Sequence, residues 1–371
     1  MSFYKAIIRP VLFQLNPEAA HHLTVEACRV AGVIPGIPSL SKAVLSRHDP
    51  MLQTEVAGLQ LDNPIGLAAG WDKSGRAIRM LGGLGFGFTE IGSISARSSR
   101  GNPKPRLFRI PQEQAILVNY GLPNDGAEIV RNRLAKRPPG QCLGVNIVKT
   151  NDGPQAPECT AEEILADYER SVSLLQHQAS YLMLNLSCPN AHAGKNFFDQ
   201  PGNISELLQR LEPLGIVCPI FLKIPPLDDP LSHELILAEC EAFDFVRGFC
   251  FNLPSGKPDS LHFKGDVNSY GNLPGAVAGR PVASLINRCI SGMYSQMDPS
   301  RYAIIGAGGV FTAEDAYEKI RLGASLVQLY TAMIYEGPGI VGRICCGLSE
   351  LLRRDGFQHI SEAVGTAHRS N

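Results

Sequence analysis

Residues 185–190 read Asn-Leu-Ser-Cys-Pro-Asn, placing a thiol, Cys188, between two side-chain amides, Asn185 and Asn190. Amides can hold a planar imide or a carboxylate, and a thiol can accept a proton. A free cysteine has a pKa of about 8.5, and a neighbouring lysine such as Lys73 or Lys223 would lower it further. The bland alternative is that Cys188 is a small buried residue, as most free cysteines are. A proline directly after it and a position at a strand end argue for partial exposure.

A second constellation is Gly306-Ala-Gly-Gly309 together with Tyr330-Thr331. Glycines that free backbone N–H groups beside a helix start bind a phosphate dianion well. The spacing predicts that grip at Gly308 and Gly309, with Tyr330 and Thr331 beside them.

The elements that must position these residues form a regular series. From about residue 60 the chain alternates short β-branched apolar runs with helical periodicity, the pattern of parallel strands. The runs are 63–70, 86–94, 143–148, 181–187, 220–224, 248–252, 303–309 and 326–331. Thr160 with Glu163, and Thr312 with Asp315, make capping boxes that open two of the intervening helices. Eight strand–helix repeats predict an α/β chain closed into a (β/α)₈ TIM barrel, with chemistry gathered where strands end. Those ends supply Lys73, Ser93, Asn146, Lys149, Asn185, Cys188, Asn190, Lys223, Asn252, Gly308, Gly309, Tyr330 and Thr331.

Ahead of the barrel, Phe3, Ile7, Val11 and Leu15 share a helical face, with Pro10 expected to bend or break it. Asn16-Pro17 caps a second helix running towards Gly32. The expectation is a small N-terminal helical hairpin over 1–45 and a barrel domain over 46–371. The hairpin either packs on the main domain or touches a membrane above a tunnel.

Composition narrows the partners. With 34 basic and 35 acidic residues, the chain has no field for gathering polyanions, so nucleic acid is excluded and a small-molecule substrate expected. The 10 cysteines lack metal-ligand spacing, so no metal site is expected and a reducing compartment is the simpler reading. Neither a signal peptide nor a spanning segment fits.

Several longer strings resemble the class 2 dihydroorotate dehydrogenases. They are Gly66-Leu-Ala-Ala-Gly-Trp-Asp-Lys73, Phe86-Gly-Phe-Thr-Glu-Ile-Gly-Ser93, Gly101-Asn-Pro-Lys-Pro-Arg-Leu-Phe-Arg109 and Gly323-Ala-Ser-Leu-Val-Gln-Leu-Tyr-Thr331. Asn16-Pro-Glu-Ala-Ala-His21 and the tail 363–369 extend the likeness to nearly the whole chain. The resemblance implies bound FMN and oxidation of dihydroorotate to orotate in pyrimidine biosynthesis. It further implies a membrane quinone as acceptor and a peripheral position on the cytoplasmic side of a membrane. By the same resemblance Ala68, Ala69 and Gly70 pack near the flavin, and Ser93, Asn146 and Lys223 hydrogen-bond it. Gly279 lines it, and Gly308, Gly309, Tyr330 and Thr331 hold its phosphate. Lys73, Asn185 and Asn190 match substrate-binding positions, while His21 and Arg109 match a quinone tunnel. Cys188 stands at the position of the base that takes a proton while hydride passes to flavin N5.

The chain departs from that pattern in three places. Class 2 enzymes carry serine at the base position, whereas the soluble class 1 enzymes carry cysteine in a similar string. Where the family usually has an asparagine three residues before Gly121, this chain has Val118, with Asn119 one step later as the candidate replacement. After the sixth strand the family's Thr-Asn-Thr-Thr is replaced by Phe251-Asn252-Leu253-Pro254, leaving Asn252 as the candidate amide. Each buried group of an imide left unpaired costs about 1–3 kcal/mol. The alternative reading is therefore a repurposed flavoenzyme acting on another small carbonyl-conjugated substrate.

Overall fold

The computed structural model describes residues 2–369 except 192, 193, 195, 259, 260, 262 and 264–267. Eight strands follow one another: β1 (Ile65–Leu67), β2 (Phe88–Ile94), β3 (Leu143–Ile147) and β4 (Tyr181–Asn185), then β5 (Ile220–Ile224), β6 (Val246–Phe251), β7 (Ala303–Gly306) and β8 (Ala324–Leu329). All eight pair in parallel with their sequence neighbours, and β8 pairs with β1, so the sheet closes into a barrel. Each strand lies within or overlaps a run read from the sequence.

Shape inside the barrel is set by rings opposite glycines. Phe88, Tyr181 and Phe221 fill the interior with Met183, Cys250, Ile305 and Leu326. A Cβ on Gly66 would lie 2.2 Å from the Phe88 ring, and one on Gly144 would lie 2.1 Å from Tyr181, so both positions must stay bare for these rings to fit. An antiparallel pair, Thr54–Val56 with Leu59–Leu61, adds Val56 and Leu61 to this cluster and plugs one end.

Helices bury their apolar faces on the outside of the strands. The helix Ala161–Leu175 begins at a capping box in which Thr160 and Glu163 satisfy each other's backbone N–H, and it buries Ile164, Leu165, Tyr168, Val172 and Leu175. The helix Ala313–Arg321 begins in the same way at Thr312 and Asp315. A three-stranded antiparallel sheet, made of Leu107–Ile110, Ala115–Val118 and Ala276–Gly279, stands beside the strand ends. The strand pattern did not reveal it, because four-residue strands carry too few alternations to register.

The N-terminal region contains three helices rather than the two expected: α1 (Arg9–Gln14), α2 (Pro17–Val33) and α3 (Ile37–Leu45). Pro10 does not break the first; it sits in the opening turn of α1, and a π-helical turn, Tyr4–Ile8, runs into it without a break. Asn16 caps α2 by accepting from Glu18 N at 3.0 Å. α2 and α3 meet at a bend of 111°, and no single described helix is long and apolar enough to cross a membrane.

These helices are tied to the barrel by polar contacts as well as by packing. Arg106 donates to Glu18 Oε1 from Nε at 3.0 Å and from Nη2 at 2.7 Å, and both residues are buried. Arg109 donates to the carbonyls of Leu12 and Leu15, while Tyr4 OH donates to Ile334 O. Removing one member of a buried ion pair strands the other, at about 3–5 kcal/mol. Arg106→Ala should therefore lower unfolding free energy by about that amount in a urea titration; a loss below about 1 kcal/mol, the range of exposed pairs, would assign the tie little weight.

Candidate active site

Where the strands end, the chain forms a cavity. Its walls include Ala68, Ala69 and Gly70 after β1, Ser93 on β2, Asn185 at the end of β4 with Cys188 and Asn190 beyond it, and Lys223 on β5. Lys73, Asn252, Gly279, Gly308, Gly309, Tyr330 and Thr331 complete the set brought together from the sequence. The cover sheet contributes Ile116, Val118 and Ala278.

Three expected residues do not line it. Along the strand Ala115–Val118 and its continuation, side chains alternate, so Ile116, Val118 and Tyr120 face the cavity while Asn119 turns away. Its amide oxygen instead accepts from Asn102 Nδ2 at 3.2 Å, so Asn119 does not stand in for the missing asparagine. Asn146 lies one layer behind, fully buried, and accepts from Ser93 Oγ. Lys149 also points elsewhere, its Nζ lying 2.8 Å from Cys159 Sγ.

The polar residues under the cavity form one continuous chain. Asn252 Nδ2 donates to Asn185 Oδ1 at 2.8 Å, and Asn185 Nδ2 donates to Ser93 Oγ at 3.1 Å. Ser93 passes to Asn146, whose Nδ2 donates to Glu90 Oε1 at 2.9 Å. Glu90, fully buried on β2, also accepts from Tyr181 OH at 2.9 Å and Gln328 Nε2 at 2.8 Å. Glu90, Tyr181 and Gln328 lie inside strands that read simply as apolar runs, so their partnership was not visible beforehand. Asn252, despite the altered sequence after β6, is held in this chain.

Three features mark what the cavity fits. Gly308 and Gly309 have φ of 85° and 77°, and a Cβ on Gly309 would lie 2.5 Å from Ala283 Cβ, so this turn requires glycine. No described acceptor takes their N–H groups, which are left for an anion. Gln328 Oε1 is buried without a partner, and Lys223 Nζ makes no hydrogen bond to a described residue. A flat ring with imide groups and a phosphate tail satisfies an orphan acceptor, a free amine and a glycine nest together.

Charge in the cavity is restrained by burial. The Cys188 thiol is pushed up by burial; the N–H groups of Asn190 and Ala191 and the Lys223 ammonium pull it only part of the way back. Lys223 lowers it as expected, but desolvation of the thiolate is the larger effect, so the net shift is upward. Lys73 falls to about 7, chiefly through burial and then through Arg106. Its Nζ sits 4.0 Å from the centre of the Tyr120 ring and 2.7 Å from His21 Nε2.

His21 belongs to a second cavity beneath the N-terminal helices. This one is apolar, lined by Leu12, Phe13, Ala20, Leu45, Trp71 and Met333 among others, with Arg109 on its wall. Ile116 and Tyr330 border both cavities. Burial holds His21 well below the usual histidine range, and the Lys73 charge adds to that. Among the described residues no cluster of three or more metal-ligating side chains occurs.

Residues 51–352 match the family model described as dihydroorotate dehydrogenase. A relative from Roseiflexus sp. (strain RS-1), named dihydroorotate dehydrogenase (quinone), is 36% identical over 98% of this chain and 99% of its own length. One of the same name from Halobacterium salinarum is 35% identical, covering 97% of this chain and 98% of its own. Among solved structures, the Eimeria tenella DHODH in complex with ferulenol superposes with a TM-score of 0.82 at 29% identity, over 97% of this chain and 99% of that one. Barrel, cover sheet and N-terminal helices thus carry a full-length likeness, and the chain belongs to the dihydroorotate dehydrogenase family, with the quinone-dependent, class 2 members as its relatives.

Proposed function

We propose that this protein oxidises dihydroorotate to orotate and passes the electrons to a quinone, with FMN in the barrel cavity. The single observation that carries the reading is the pair of adjoining cavities, one with a polar floor, a glycine nest and a thiol, the other apolar beneath helices. The relatives' shared name, dihydroorotate dehydrogenase (quinone), favours this substrate over a repurposed one. Bound flavin supplies a two-electron acceptor for the hydride.

The chain's own residues do the rest. Gly308, Gly309, Tyr330 and Thr331 hold the phosphate, and Ala68, Ala69, Gly70 and Gly279 leave flat walls for the ring. Ser93 and Lys223 bond its polar edge, with Asn146 orienting Ser93 from behind. Asn185, Asn190 and Asn252 hold the planar substrate by their amides. Lys73 pairs with the substrate's carboxylate. Cys188 Sγ takes the proton from the carbon next to the carbonyl.

Residues 1–45 form the acceptor-side extension and residues 46–371 the FMN barrel. His21 and Arg109 border the quinone's cavity. Phe3, Val11 and Leu40 are 68%, 63% and 62% exposed on the helices around it. An apolar outer face above an apolar cavity supports a peripheral position on a membrane, on its cytoplasmic side, from which a lipid-dissolved quinone enters.

Anaerobic mixing with dihydroorotate tests the assignment: the flavin should bleach rapidly, and a flavin that stays yellow in excess substrate would sink it. Cys188→Ala should retain flavin yet lose reduction by at least about a hundredfold, the usual scale of a proton-transfer catalyst. Because the thiol is raised, the wild-type reduction rate should climb with pH through the neutral range, as the thiolate fraction grows.

Lys73 gives a second pH signature of opposite sign. A carboxylate binds its ammonium form, present below about 7; above that pH a proton must be taken up on binding. Orotate affinity should therefore fall by about tenfold per pH unit above the lysine's pKa, followed by flavin absorbance. A pH-independent affinity in the wild type, or an unchanged slope in Lys73→Met, would contradict this pairing.

A further inference from the structure

Lys149 stands at the end of β3, in line with the cavity residues, yet it does not reach the cavity. Only 9% of its surface is exposed. Its nearest acceptor is Cys159 Sγ at 2.8 Å; the Asp152 carboxylate is 4.0 Å away and already takes Arg97 Nη2 at 2.8 Å. Sulfur is a weak acceptor, a poor nearest neighbour for an ammonium so deeply buried. The separation is also shorter than ordinary contact between nitrogen and sulfur. It is the span that one oxygen atom bridges.

We propose that Lys149 and Cys159 form an oxidative cross-link, Nζ–O–Sγ. One amine, one thiol and one molecule of dioxygen give the bridge and one water. The S–H bond and one N–H bond break, and N–O and O–S bonds form. The second oxygen atom leaves with the two hydrogens as water, and nitrogen and sulfur together supply the four electrons. With hydrogen peroxide as oxidant, two molecules do the same and three waters leave. Cys159 is partly exposed, so either oxidant reaches it.

The bond would close a ring over residues 149–159, which includes Asn151. Asn151 Nδ2 donates to Gly121 O at 2.7 Å and to Asn102 Oδ1 at 3.2 Å, and Asn102 in turn donates to Asn190 O at 3.1 Å. Gly121 and Asn190 are walls of the barrel cavity. The cross-link therefore fastens the loop that braces the substrate side, and a reductant releases it. This proposal stands apart from the assigned activity, because its chemistry uses neither flavin nor substrate.

The test is peptide mass spectrometry of the intact holoenzyme, kept in air, treated with hydrogen peroxide, or treated with dithiothreitol. In the first two samples trypsin should fail to cut after Lys149, and the peptide spanning Cys159 should weigh one oxygen more and two hydrogens less than its unmodified mass. Dithiothreitol should restore cleavage and free the thiol. Cys159→Ser and Lys149→Arg should both abolish the species. The wild-type Tm should drop by a few degrees on reduction, while that of Cys159→Ser stays put. Full alkylation of Cys159 after peroxide, a disulfide to Cys142, or a sulfinic acid as the only product would overturn the proposal.

Discussion

A carboxylate sealed inside a barrel has to be satisfied from all sides, and Glu90 is satisfied by Asn146, Tyr181 and Gln328 on three other strands. Those donors come from β3, β4 and β8, so the contact fixes the register of strands distant in sequence. It also determines what lies above. Asn146 spends its donor on Glu90 and so offers its oxygen to Ser93, which in turn orients Asn185 and then Asn252. The polar floor of the site is one hydrogen-bonded object with its root in the core. A buried network of this kind tolerates no missing member, since each leaves a charge or dipole unpaired.

Much of the fold was legible because a parallel barrel writes itself as a repeat: buried strands of β-branched residues, capped helices, polar strand ends. The convergence of Ser93, Asn185, Cys188, Lys223 and Gly308 follows from that repeat alone. What failed to show was set by side-chain direction and by short elements. Asn119 looked like a substitute amide by proximity in sequence, but the two-residue period of a strand sends it to the opposite side from Val118. The cover strands were too short to announce themselves, and Pro10 fell in a first turn, where proline is welcome. Cys188 was read as a thiol eased by lysine, whereas the depth of the pocket, invisible in a string of letters, reverses the direction of the shift.

Cys188 belongs with its surroundings. Val118 and Leu253 replace polar contacts with apolar wall, yet Asn185, Asn190 and Asn252 still present amides to the same cavity. Lys223 and the glycine turn at Gly308 and Gly309 stand on the wall of that same cavity.

Tyr330 and Ile116 stand on the walls of both cavities, the one floored by polar side chains and the apolar one. Lys73, on the wall of the first, touches His21, on the wall of the second, so the two also meet through a polar contact. A polar-floored site and an apolar one thus stand side by side within a single protein.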